Sequence, residues 1–325
     1  MAATSVPSAS SVPAGGRRPN EAPRIGRPDA FRRRLARLGW AFTSPAIVVV
    51  AVVTIFPILF SVVMSLAHVT VSSSGFHVGS FTWANYRLIL TNPTWQYAII
   101  FTVVYTAITV TVELILGTCI ALVLERLVRG RGLMMALLLV PWSIITVISA
   151  ELWLYIYDPV FGIADRFLQA VGAGHPTILG GNVSAIAAMM VADIWKTTPF
   201  VAIIVLAGLV MLPQDIYEAA EVDGANSWTT FWRVTFPLLR PTIALAVLFR
   251  ILQAFSLFTL PKVLTNGGPG HSTTSLSLLG FRVLFTDLSF GPGAAIATST
   301  ALLVVIGCFL FLRVFKSQVG KEEQL

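Results

Sequence analysis

The chain has 325 residues, of which 56% are hydrophobic and only 11% charged, and its mean hydropathy is +0.81. A soluble domain carries about a quarter charged residues, so this composition excludes one and implies an all-α polytopic membrane protein. The net charge of +7 does not point to nucleic acid, because the basic residues crowd beside apolar runs, where they orient a chain in a bilayer.

Residues 1–39, rich in Ser, Pro, Ala and Arg, read as a disordered basic tail. Arg32, Arg33, Arg34 and Arg37 lead into a first apolar run, Trp40–Leu66, far longer than a signal-peptide core of roughly 7–15 residues, which makes it an uncleaved signal anchor. Five more runs reach or approach the ~20 residues that cross a bilayer as a helix. They are Ala98–Leu124, Leu133–Tyr157, Val183–Leu212, Thr242–Lys262 and Pro292–Phe315, and 316–325 follow as a short tail. Six spans place both termini on one side. Sixteen of the 22 Lys and Arg fall on that side, against Arg87, Arg166, Lys262 and Arg282 on the other, so the termini are expected in the cytoplasm, beneath a bacterial plasma membrane. Trp83, Trp95, Tyr97, Tyr155 and Tyr157 fall near outer span edges, as interfacial aromatics do.

Cys119 and Cys308 each sit inside an apolar run and read as small buried hydrophobes. With four scattered His they give no metal spacing. Asp158 and Asp165 on the outer side have the residue types of a glycosidic acid–base pair. Their neighbours Pro159 and Gly162 favour plain loop carboxylates.

The segment 213–241 is polar between oily spans. Asp215 lies near the positive end of a short helix over Ile216–Val222, Asp223-Gly224 stops it, and Asn226 or Ser227 caps a second short helix that Pro237 ends or kinks. Ala219, Ala220, Gly224 and Ala225 are small enough for another backbone to come close, and Glu218 and Asp223 offer acceptors. A helix lying on the inner membrane surface fits these residues equally well.

Charged residues inside spans face a cavity or a partner, since each costs about 2.5–3.5 kcal/mol at mid-membrane. Asp193, Lys196, Thr197 and Phe200 share one helical face, and Arg250, Gln253, Ala254 and Leu257 share another on the next span. One reading is an internal ion pair, Asp193 with Lys196 or Arg250. The other is a polar path wall for a sugar, with Trp195, Phe200 or Phe255 offering ring faces. Glu113 lies mid-span, either paired with a neighbouring helix or protonated, and Glu151 sits toward an outer end.

The series Glu218-Ala219-Ala220, Asp223-Gly224-Ala225, then Pro237 and Pro241, resembles the EAA signature of ABC importer permeases. "LTNGGPG" (Leu264–Gly270) is similar to the outward loop of maltose-type carbohydrate permeases, "DIWKTTPF" (Asp193–Phe200) to their broken, Pro-containing span, and "NYRLILTNPTWQYAI" from Asn85 to their outer segment before the second span. The resemblance covers roughly residues 40–315. It implies the type I importer permease fold of six transmembrane helices, with a coupling helix in which Glu218, Ala219, Ala220, Asp223, Gly224 and Ala225 meet a cytoplasmic ATPase. It places Asp193, Lys196, Thr197, Phe200, Arg250, Ala254 and Leu257 on the substrate path, where Gln253 joins them from the Arg250 face, and Asn266, Gly267, Gly268 and Pro269 against an extracytoplasmic sugar-binding protein or lipoprotein. It further implies a second permease subunit, two ATPase copies and a disaccharide such as trehalose as cargo. The chain lacks the phosphate-cradling G-x-x-x-x-G-K-[ST], so ATP and Mg are expected on the partner ATPase, with no cofactor here. A secondary transporter or channel, or a membrane glycosyltransferase, are the competing classes. The first leaves the Glu218–Pro241 pattern unexplained, and the second calls for an outer acidic site.

Overall fold

The computed structural model describes residues 28–72, 75–172, 174 and 177–319. It divides into two units, residues 1–57 and 58–325. In the first, helix α1 (Pro28–Val50) runs into a π-turn, Ala51–Ile55. The helix therefore starts inside the expected tail. Residues 1–27 of that tail lie outside the described residues.

The second unit carries all but the first two residues of the next helix and the elements that follow it. Helix α2 (Phe56–Ser65) leads to an antiparallel hairpin, β1 (Ala67–Ser72) and β2 (Gly75–Phe81), which the sequence reading did not anticipate. Asn85, at the start of α3 (Ala84–Thr91), donates from Nδ2 to the carbonyls of Ser65 and Ala67 at 3.0 and 2.9 Å and so clamps the hairpin base. Helix α4 (Pro93–Arg126) begins five residues before the expected span, because Asn92 Oδ1 accepts the Thr94 N–H at 2.8 Å and Pro93 fits the first turn. Its 34 residues extend about 51 Å, beyond the ~30 Å hydrocarbon core.

The third span is bent by 89° between α5 (Arg131–Ser143) and α6 (Thr146–Ile156). This corrects the location of the break. Helix α8 (Asn182–Val210), which holds "DIWKTTPF", is continuous through Pro199. Two threonine hydroxyls in that turn bond back along it, Thr197 Oγ1 to the Asp193 carbonyl and Thr198 Oγ1 to that of Ile194, both at 2.6 Å. Between α6 and α8 lie α7 (Ile163–Ala170) and a 3₁₀ turn, Ile178–Gly180.

After α8 come α9 (Gln214–Val222), α10 (Ser227–Thr230), a π-turn over Phe231–Thr235, and α11 (Phe236–Phe255). The last three make one 29-residue apolar helix, Ser227–Phe255. Pro237 therefore does not end a short helix, and the fifth span starts and stops earlier than expected. The π-turn explains this. The Phe236 N–H reaches back five residues to the Phe231 carbonyl, which makes room for the proline ring that follows. Helices α12 (Thr259–Leu264) and α13 (Leu276–Phe281), a π-turn over Arg282–Thr286 and α14 (Phe290–Val319) complete the chain; 320–325 lie outside the described residues. Among the described residues, five helices are long and apolar enough to span, six with the bent pair counted as one.

Helix α4 packs along α8, and both touch α11. The α4–α8 crossing is close at Gly117, where a Cβ would come within 2.8 Å of Val201 Cγ1 and 3.0 Å of the Ala202 backbone nitrogen. Small residues permit such approach where lipid gives helices no hydrophobic incentive to associate.

Candidate functional site

Tyr105, Thr109, Glu113 and Gly117 recur every four residues on α4, and all four are buried. This face meets Asp193 and Thr197 of α8 and Arg250 of α11. Arg250 grips Glu113 with two nitrogens: Nε lies 2.5 Å from Oε2 and Nη2 2.8 Å from Oε1. Nη2 also lies 3.5 Å from Asp193 Oδ2. Thr197 Oγ1 is 2.6 Å from Glu113 Oε1, and Tyr105 Oη is 3.2 Å from Asp193 Oδ2. A fixed guanidinium fork matched to a carboxylate is the geometry in which a buried pair offsets its desolvation. The cluster joins three spans in the apolar interior and reaches an exposed residue through Arg250 Nη1, which donates to Gln253 Oε1 at 3.0 Å.

The ion-pair reading thus holds for Asp193 with Arg250, and Glu113 is paired with a neighbouring helix. Asp193 and Lys196 do not pair. Lys196 Nζ turns to the elbow between α5 and α6, donating to the carbonyls of Ile144 at 2.5 Å and Trp142 at 3.3 Å. These carbonyls lose their helical partners where α5 stops. Phe200 stacks on Trp142 with ring centroids 5.8 Å apart and meets Phe249 edge-on at 6.2 Å. Trp195 packs edge-on against Trp153, and Phe255 is buried.

Ala254 and Leu257 are buried rather than open to a path. Leu257 lies beyond the end of α11, so it does not share a helical face with Arg250; its carbonyl accepts from Ser275 Oγ at 2.5 Å. Trp142, Phe249 and Tyr105 were not singled out as path residues. The four-residue period through Tyr105 and Glu113 was the available signal for the last.

At the α9 end, the Ala225 N–H bonds to the Ala220 carbonyl and the Gly224 N–H to the Glu221 carbonyl, both at 3.0 Å. This is a Schellman stop, with Gly224 at φ +74° supplying the left-handed residue. Asn226 Oδ1 then accepts the Thr229 N–H at 2.8 Å, capping α10. Glu218, Ala219, Asp223 and Gly224 are exposed and Ala225 half-buried, whereas Ala220 is buried against its own chain.

The loop 264–270 is firmly built. Thr265 and Thr273 hydroxyls lie 2.6 Å apart, Thr273 Oγ1 donates to the Gly268 carbonyl at 2.9 Å, and Thr274 Oγ1 to that of Gly267 at 3.0 Å. Asn266 is exposed, Gly267 buried, and Gly268 and Pro269 half-buried.

The outer carboxylates have local roles. Asp158 Oδ1 accepts the Val160 and Phe161 N–H groups at 2.8 Å, and these bonds, that of Phe161 foremost, hold its carboxyl below the usual range. Gln169 Nε2 donates to Asp165 Oδ2. Glu151 is exposed on α6. Among the described residues, no group of three or more His, Cys, Asp or Glu is placed to hold a metal ion.

The family described as "Binding-protein-dependent transport system inner membrane component" matches residues 113–319, from the network's Glu113 through α9 and the stapled loop. The chain belongs to this family. It is a transport permease, a membrane component without catalytic chemistry. It is 38% identical over 285 residues to the trehalose/maltose transport system permease protein MalF of Thermococcus litoralis, covering 87% of this chain and 95% of that one. To the trehalose transport system permease protein SugA of Mycobacterium tuberculosis it is 34% identical over 279 residues, covering 86% and 89%. Its fold matches a chain of a bacterial ABC transporter that imports the acidic polysaccharide alginate, with a TM-score of 0.77 at 19% identity over 89% of this permease and 99% of that chain. That likeness carries the fold alone.

Proposed function

We propose that this permease is one of two membrane subunits of an ATP-driven importer for a disaccharide such as trehalose. The observation that carries the reading is the exposed α9 elbow, a carboxylate-bearing helix stopped by Gly224 between α8 and the helix that becomes α11. Such an element serves a soluble partner below the membrane, and the relatives named for trehalose and maltose transport support the cargo. In this reading both termini are cytoplasmic. Two ATPase copies bind ATP and Mg and engage Glu218, Ala219, Asp223 and Gly224. A binding protein delivers sugar at the opposite end, and closure of the ATPases rotates the spans around the Glu113–Arg250–Asp193 cluster. Lys196, Phe200, Trp142, Phe249 and Gln253, on or near the open side of that cluster, contribute to the path.

The test is uptake of labelled trehalose by proteoliposomes holding this chain, the second permease and the ATPase, with binding protein outside. Uptake should require both binding protein and ATP. Uptake by this chain without the ATPase would make it a secondary transporter or channel and overturn the reading.

A further inference from the structure

A cavity of about 410 Å³ opens at the end of the bundle opposite α9. Its place follows from its walls. Asn92 and Thr94 at the start of α4 line it, and a smaller neighbouring cavity is lined by Asn182, the first residue of α8. Helix α8 then runs about 43 Å before reaching the α9 segment.

Three basic side chains, Lys262, Arg282 and His271, converge on this cavity. Lys262 Nζ donates to Asn266 Oδ1 at 3.1 Å and lies 5.6 Å from the centre of the Phe281 ring. Arg282 Nη2 donates to the Asn266 carbonyl. Both cations thus spend their hydrogen bonds on neutral oxygens, and neither makes an ion pair among the described residues. Asp287 also lines the cavity, exposed and in no ion pair with either. The start of α4 adds the positive end of a helix dipole. Charged groups held only by neutral acceptors are favourable targets for an incoming carboxylate. The threonine-stapled loop fixes one wall before any partner arrives, which lowers the ordering cost of docking.

We propose that this cavity receives an aspartate or glutamate side chain presented by the binding protein. The inference rests on the importer reading above and names the chemistry of its docking contact. The position at helix ends favours a partner arriving from water over a lipid headgroup arriving from the side.

The complete transporter, in vesicles of neutral phosphatidylcholine, is titrated with binding protein while ATP hydrolysis is followed. Lys262→Glu should raise the half-maximal binding-protein concentration about tenfold, and Lys262→Gln by less, with weaker salt dependence in both than in the wild type. Melting temperatures of the variants check folding, and His271→Glu carries the same test if Lys262→Glu fails to assemble. An unchanged half-maximal concentration in folded variants, with the wild type stimulated normally, would sink the docking contact alone. A shift that appears only when anionic lipid is added would assign the cavity to a headgroup and overturn the proposal. A wild-type transporter unresponsive to binding protein would instead refute the importer reading.

Discussion

Arg250 and Glu113 lie 137 positions apart, yet two guanidinium nitrogens meet both carboxylate oxygens at 2.5 and 2.8 Å in the buried centre of three helices. Removing one member strands the other charge, which costs about 3–5 kcal/mol in a buried pair. Arg250→Ala and Glu113→Ala should each lower thermal stability of the purified complex by that order. Glu113→Gln, which keeps an acceptor for Arg250 and Thr197, should cost less. The joint Glu113→Gln, Arg250→Met variant should recover part of the loss. Additive losses in the double-mutant cycle would mean that the pair is not coupled.

Gly224 isolates partner contact from backbone strain. At φ +74° any side chain is strained, by about 1–3 kcal/mol, but a Cβ there meets nothing within 4 Å of its own chain. Asparagine tolerates this conformation far better than a β-branched residue. Gly224→Asn should leave folding nearly intact and Gly224→Val should not. If the elbow docks on an ATPase, both should lower ATPase recovery on co-purification, since both add bulk to an exposed face. Full recovery with Gly224→Asn would place the elbow free of the partner.

The spans were legible because about 20 consecutive apolar residues are needed to cross a bilayer, and the described residues hold five such helices and a sixth apolar stretch bent at the α5–α6 elbow. Their ends were not. The Asn92 cap extends α4 through polar residues that hydropathy ignores, and the π-turn before Pro237 lets one helix run on from Ser227. The hairpin at Ala67–Phe81 is short and carries only weak alternation. The network was half legible. Asp193, Thr197 and Arg250 stood out as polar residues in apolar spans, but the pairing of Glu113 depends on which helices cross, and the helical period of one segment does not contain that. Spacing left Lys196 and Arg250 as alternative partners of Asp193, because Lys196 shares its helical face, while the carbonyls freed at the α5–α6 elbow draw the ammonium the other way.

In the stapled loop, two glycines of like backbone should respond differently. Gly267 and Gly270 have φ of +74° and +53°, so alanine strains either. At Gly267 the added Cβ would also come within 2.8 Å of both Arg282 Nη2 and Thr274 Oγ1, whereas at Gly270 it meets nothing within 4 Å. Gly267→Ala should therefore lower the melting temperature of the complex more than Gly270→Ala, and asparagine should rescue only position 270. Equal melting temperatures for the two alanine variants would show that the loop is looser than its hydrogen bonds imply.

Lys196 should hold the α5–α6 elbow. Its ammonium donates to the Ile144 carbonyl at 2.5 Å and to that of Trp142 at 3.3 Å, at the break where the span turns through 89°. Lys196→Met keeps most of the stem and removes the donors, leaving carbonyls whose loss of partners costs about 1–3 kcal/mol. The expected result is faster amide hydrogen exchange from Ile145 through Ser149, where the Ser149 N–H bonds to the Ile145 carbonyl at 3.0 Å, with exchange in α9 unchanged. Lys196→Arg should restore protection, because it returns donors to the elbow. Unaltered exchange across the elbow in Lys196→Met would show that the Phe200–Trp142 stack, at 5.8 Å, holds the bend without the lysine.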